Sequence, residues 1–148
     1  MIEAHGDLWE YPADVYVITT NGSVKKDGAA VMGRGVALQA KEKFKGIDVN
    51  LGHLLSVWGN EVSPIWHNPI ILSFPVKHYW QEKADPFLIM ESICQLKRAI
   101  NVQFGADGHG VVAMPRPGCG NGQLKWEDIK PLVSFLDDRF VVVNNELA

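Results

Sequence analysis

Two clusters of glycine are the residues in this sequence best suited to chemistry. The first collects Gly28, Gly33 and Gly35 around the run Ala30-Val31-Met32-Gly33-Arg34-Gly35-Val36-Ala37. The second is Pro117-Gly118-Cys119-Gly120-Asn121-Gly122. Glycine lets a backbone approach a ligand closely, and successive exposed N–H groups leading into a helix N-terminus form a cradle for phosphate. Two such cradles on one sheet edge would suit a diphosphate. Taken alone, either loop is equally well a tight strand–helix turn. The first lacks Gly-Lys-Ser/Thr, and neither has G-x-G-x-x-G followed by an acidic residue, so P-loop and dinucleotide-fold readings fail.

Other reactive side chains form no constellation. His5, His53, His67, His78 and His109 are scattered without an i,i+4 pair, so no metal site is expected. Cys94 and Cys119 have neither zinc spacing nor the number for a disulfide framework, and free thiols fit a reducing, cytosolic compartment. Cys119 reads as a small loop residue, because no His/Asp partner accompanies it as it would a nucleophile. Trp9, Trp58, Trp66, Trp80 and Trp126 read by default as core or helix-docking residues.

The elements that must position the loops alternate. Val15–Thr20 is a β-branched and aromatic strand ending at Asn21-Gly22. A helix is expected from about Gly33 to Phe44, and strands at Leu54–Trp58 and Ile70–Phe74. Asp85 caps the clearest helix, Pro86 suits its first turn, and Ile89, Ile93, Leu96 and Ile100 form its apolar stripe. Gly110–Met114 reads as a short buried strand. A last helix starts near Trp126 or Glu127, with Pro131 tolerated as close to its start. Phe140–Val143 closes as a buried strand. Such alternation predicts an α/β fold: a mostly parallel sheet with helices on both faces and ligands at the carboxyl ends of its strands.

At 148 residues, with 47% apolar and 21% charged, the chain reads as one globular domain over 1–148. A formal charge of −3 argues against general polyanion binding while leaving room for a local phosphate pocket. The first residues resemble no signal peptide, and no apolar run reaches the roughly 20 residues of a bilayer span, so no membrane partner is expected.

Four blocks, in order, carry a resemblance. They are Gly6-Asp7-Leu8 with Ala13–Ile18 running into Asn21; Val31–Gln39; Phe74-Pro75-Val76-Lys77-His78-Tyr79-Trp80; and Gly118–Asp128. Together they resemble macro domains, in the branch of the terminal ADP-ribose protein glycohydrolase and the antitoxin that removes ADP-ribose from DNA. The resemblance implies a three-layer α/β/α macro domain with a mixed, mostly parallel sheet, and ADP-ribose or an ADP-ribosylated protein or nucleic acid as partner. It implies a monomer and no cofactor.

By that resemblance, Asp7, followed by Leu8, accepts from the adenine amino group; read alone, Asp7 is an N-cap. Asn21 matches the asparagine near the distal ribose. Met32, Gly33, Arg34, Gly35 and Val36 line one side of the diphosphate and ribose. Pro117, Gly118, Cys119, Gly120, Asn121 and Gly122 cover the other. Phe140 or Asn144 is the candidate to flank adenine. Lys77 is the implied catalytic residue, attacking the anomeric carbon of the distal ribose transiently or through a Schiff-base-type adduct. That demands a deprotonated amine, helped by burial or nearby positive charge, part of which His78 would supply.

Two departures stand out. Some relatives carry an acid/base aspartate where this chain has Gly122, though the DNA-directed antitoxins also have glycine. The stretch Ser23–Gly28 is extra, and is expected to lengthen a lid over the distal ribose or to change which substituent fits. The implied function is hydrolysis at the distal ribose, with an ADP-ribosyl glycohydrolase first, then ADP-ribose 1″-phosphate or O-acetyl-ADP-ribose processing, or a non-catalytic ADP-ribose reader. A different nucleotide-binding α/β protein is the remaining alternative.

Overall fold

The computed structural model describes residues 1–145. Six strands form one sheet: β1 (Ile2–His5), β2 (Val15–Asn21), β3 (Pro64–His67), β4 (Ile70–Lys77), β5 (Val112–Met114) and β6 (Phe140–Asn144). Their order is β1-β6-β5-β2-β4-β3, with every neighbouring pair parallel except antiparallel β3–β4. Four helices cover it: α1 (Gly35–Lys43), α2 (Ile47–Trp58), α3 (Pro86–Phe104) and α4 (Trp126–Val133). The architecture is therefore the expected three-layer α/β/α sandwich with a mixed, mostly parallel sheet.

Alternation along the strands decides what each face buries. Val15 and Val17 of β2, Leu72 and Phe74 of β4, and Val112 and Met114 of β5 turn to one face. There they meet Ile89, Ile93, Leu96 and Ile100 of α3 and Ile129 and Val133 of α4. Ile18 and Ile71 turn to the other, against Ala37 and Ala40 of α1 and Ile47 and Leu51 of α2. The long helix begins as anticipated: Asp85 accepts from the Phe87 amide at 2.9 Å, with Pro86 in the first turn. At the opposite pole Arg139, 5% exposed, donates to Gly105 O at 2.9 Å, Asn101 Oδ1 at 2.7 Å and Asp137 Oδ2 at 2.8 Å, tying the end of α3 to the start of β6.

The structure corrects several boundaries. Leu54–Trp58 is the last part of helix α2, not a strand; Ile47, Leu51, Leu54 and Leu55 share a helical stripe that a five-residue window cannot reveal. β1 and β3 are edge strands whose mostly exposed residues gave no apolar run. Pro131 falls six residues into the eight-residue α4, where it removes the amide that would bond back to Glu127, and the helix stops two residues later. No helix among the described residues is long and apolar enough to cross a membrane.

Phe74 is fully buried at mid-sheet. Phe74→Ala is expected to lower unfolding free energy by about 3–5 kcal/mol, read as a lower denaturation midpoint with an unchanged slope.

Candidate functional site

The carboxyl ends of β6, β5, β2 and β4 open into one cleft of about 1220 Å³. Small-ligand sites usually occupy roughly 300–1,000 Å³, so this one has room to spare. Strand order arranges its lining. Asp7, Leu8 and Asn144 stand at one end, the two glycine loops in the middle, and Asn21, Lys77 and Trp80 at the other.

At the first end Asp7 caps the short turn Leu8–Glu10, its Oδ1 accepting from the Trp9 amide at 2.9 Å. One carboxylate oxygen serves the turn while the residue still lines the cleft. Nearby, the Arg116 guanidinium lies 5.0 Å from the Trp126 ring centroid and 3.8 Å from Glu3 Oε1. Glu3 also accepts from Trp126 Nε1 at 2.8 Å and pairs with Lys130 at 2.7 Å, and these contacts, Lys130 first, hold its carboxyl below the usual range.

The two loops converge. Gly35 opens α1 at φ +59°, and a Cβ there would lie 2.9 Å from Asn121 Nδ2. The start of a nine-residue helix and the Gly118–Gly122 loop thus line the same space, the placement an anion cradle requires. The second loop is tightly wound: Leu124 N donates to Gly118 O at 3.0 Å and Ala84 N to Gly122 O at 3.0 Å. A Cβ at position 122 would come within 2.3 Å of Gly118 O, so this loop excludes any side chain there, including an acid/base aspartate.

Lys77 ends β4 directly opposite Asn21 of β2, after a register shift at Thr20/Asn21. Asn21 is used by the backbone: its Oδ1 accepts from Ser23 N at 2.9 Å and its Nδ2 donates to Val31 O at 3.0 Å, stapling the first loop to the end of β2. Asn60 Nδ2 donates to Lys77 O at 3.0 Å and Gly22 N to His78 O at 3.2 Å, fixing the chain where the lysine leaves the sheet. Its ammonium reaches Trp80 O at 3.4 Å. Partial burial, and then the positive charge of Arg34, push the amine's pKa below the ordinary lysine value. The helper is therefore Arg34, not His78. His78 Nε2 instead contacts Asp85 Oδ2 at 2.9 Å, and that hydrogen bond is the main reason the Asp85 carboxyl sits below its usual range.

Of the positions singled out in the sequence, Asp7, Leu8, Asn21, Met32, Gly33, Arg34, Gly35, Val36 and Lys77 line the cleft, as do Gly118, Cys119, Gly120, Asn121 and Gly122. Pro117 does not; it is buried beneath its loop, its carbonyl facing Cys119 Sγ at 3.6 Å. Phe140 is fully buried in the core and cannot flank a ligand, whereas Asn144 lines the cleft. None of Ser23–Gly28 lines the cleft. The stretch folds back through Lys25 N to Ala29 O at 2.8 Å, and Ala30 N beyond it bonds to Asp48 O of α2 at 2.9 Å. Sequence reasoning passed over Trp80, Arg116 and Trp126, which all line the cleft; their places beside the Lys77 block and the second loop were the available signal.

No family model matches the chain. It is 29% identical over 136 residues to a DNA ADP-ribosyl glycohydrolase of Mycobacterium tuberculosis, covering 84% of this chain and 35% of that protein. The chain thus spans about a third of the length of that relative. Among solved structures, the macrodomain of Mycobacterium tuberculosis DarG superposes with a TM-score of 0.79 at 24% identity, covering 99% of each chain. Thermosipho africanus DarTG in complex with ADP-ribose gives 0.77 at 19% identity, covering 99% of this chain and 43% of that one.

Two outcomes follow from this geometry. Arg34→Gln removes a charge that helps lower the amine's pKa, so the Lys77 pKa is expected to rise, read by NMR titration of its side-chain carbon resonances; an unchanged titration would remove Arg34 from that role. Gly122→Ala is expected to lower the thermal midpoint and speed hydrogen exchange at the Ala84 and Leu124 amides, because Gly118 must move.

Proposed function

We propose that this chain is a macro domain that binds ADP-ribose along the cleft and hydrolyses the bond joining its distal ribose to a nucleic-acid base. The fit of ligand to cleft follows the rim. Adenine lies at the Asp7 end, where the second carboxylate oxygen of Asp7 accepts an amino N–H. The diphosphate lies between the two glycine loops, held by main-chain amides and the α1 dipole. The distal ribose reaches Asn21 and Lys77.

The observation that carries the reading is the position of Lys77. Its amine stands at the cleft end beyond both loops, partly desolvated and beside a second cation, which are the conditions that make an amine nucleophilic near neutral pH. The unprotonated amine attacks the anomeric carbon. The bond to the base breaks, its electron pair leaving with the base nitrogen, which takes up a proton. Water then displaces lysine from the adduct, leaving a hydroxyl on the anomeric carbon and restoring the amine. Position 122 supplies no proton-transfer group, so the chemistry rests on Lys77. DNA as the modified partner follows the name of the relative to which the chain is similar, a DNA ADP-ribosyl glycohydrolase; the base as leaving group is part of the proposal.

Lys77→Ala is expected to reduce release of ADP-ribose from an ADP-ribosylated single-stranded oligonucleotide by roughly 10²-fold or more, while the Kd for free ADP-ribose by calorimetry moves only a few-fold. Turnover at the wild-type rate would eliminate Lys77 from the mechanism. The rate in the intact enzyme should rise with pH through the lowered pKa, since only the neutral amine attacks.

A further inference from the structure

The loop that follows Lys77 presents an aromatic ring where the leaving group must emerge. Trp80 lines the cleft, yet 48% of it is exposed. Tryptophan, an apolar ring with a polar N–H, is a residue type enriched at contact surfaces. The loop is also held rigidly. Trp80 N donates to Ser23 Oγ at 3.0 Å, and Trp80 O accepts from Lys77 Nζ at 3.4 Å. Tyr79 N donates to Glu82 Oε1 at 3.0 Å, Glu82 N returns to Tyr79 O at 3.1 Å, and His78 is fixed to Asp85. A backbone tied at so many points offers the indole with little ordering left to do on binding.

We propose that Trp80 is a specificity-determining residue: the platform on which the base bonded to the distal ribose stacks when the anomeric carbon sits at Lys77. The inference rests on the reading of the cleft given above and adds to it the means of choosing the leaving group. The cleft exceeds the size of ordinary small-ligand sites, and its Lys77 end carries both Trp80 and the exposed, cationic Arg34. A flat π-surface beside the Arg34 cation matches a base and a flanking phosphate, as in proteins that hold single-stranded nucleic acid. An ADP-ribosylated protein side chain offers no comparable face. A base inside a duplex cannot reach the indole, so the substrate is single-stranded or has its base swung out of the stack. Ser23, from the stretch inserted between β2 and the first loop, then acts as a positioning residue through its bond to the Trp80 amide.

The test measures binding in a Lys77→Ala background, so its outcome does not depend on catalysis. Three ligands are compared: free ADP-ribose, a single-stranded oligonucleotide carrying ADP-ribose on one base, and a peptide carrying ADP-ribose on a side chain. Adding Trp80→Ala is expected to weaken the oligonucleotide by roughly 5- to 150-fold, the loss that one base–aromatic stack produces. Free ADP-ribose and the peptide should change only a few-fold, and Trp80→Phe should recover most of the loss. Trp58→Ala, an exposed tryptophan outside the cleft, serves as control and should change none of them. An oligonucleotide affinity indifferent to Trp80→Ala, or equal losses on all three ligands, would overturn the proposal. Failure of Lys77-intact protein to cleave the oligonucleotide, with the stacking pattern intact, would instead overturn the catalytic reading and leave the platform standing.

Discussion

Parallel pairing of β2 with β4 brings Asn21 and Lys77 to the same level of the rim, and the rest of the site depends on that adjacency. Asn21 anchors the first glycine loop through Val31 O, so loop and lysine are referenced to one pair of neighbouring residues. Asn60 and Gly22 tether the main chain just past the pair. A parallel sheet makes such an arrangement natural, because all its strands deliver their ends, and the polar groups that follow, to one side. Had β4 run antiparallel to β2, the amine and the amide cradles would lie at opposite ends of the molecule.

Around that rim, polarity is distributed unevenly for a chain with formal charge −3. Arg34, Lys77, Arg116 and Lys125 all line the cleft, against Asp7 and Glu127. Local field, not net charge, governs what approaches a concave site. Such a concentration of cations suits an anionic ligand, and one of them, Arg34, adds to the burial that lowers the pKa of the Lys77 amine.

Much of the layer architecture was legible in the residues. Continuous apolar strands at Val15–Thr20, Gly110–Met114 and Phe140–Val143 and the capped stripe after Asp85 announced a parallel sheet flanked by helices. The edge strands Ile2–His5 and Pro64–His67 were silent because a strand at a sheet margin need not bury its side chains. Helix α2 was mistaken at Leu54–Trp58 because its apolar residues adjoin one another there, and period is invisible in so short a run. The loops and Lys77 could be placed from their blocks, since glycine and a strand-end lysine are positional signals. What depends on packing across the fold was not visible: that Arg34, distant in sequence, neighbours Lys77 while adjacent His78 turns to Asp85; that Pro117 and Phe140 are buried; and that Trp80 stands open.

The Arg139 hub lies at the pole where strands begin, as far as the fold allows from the rim where they end. It joins α3, the segment before β6 and, through Arg139 O, the start of β5 by its bond to Val112 N. Cohesion is thereby concentrated in the floor of the molecule. A substitution that loosens a rim loop is therefore separated from these ties by the full depth of the sheet.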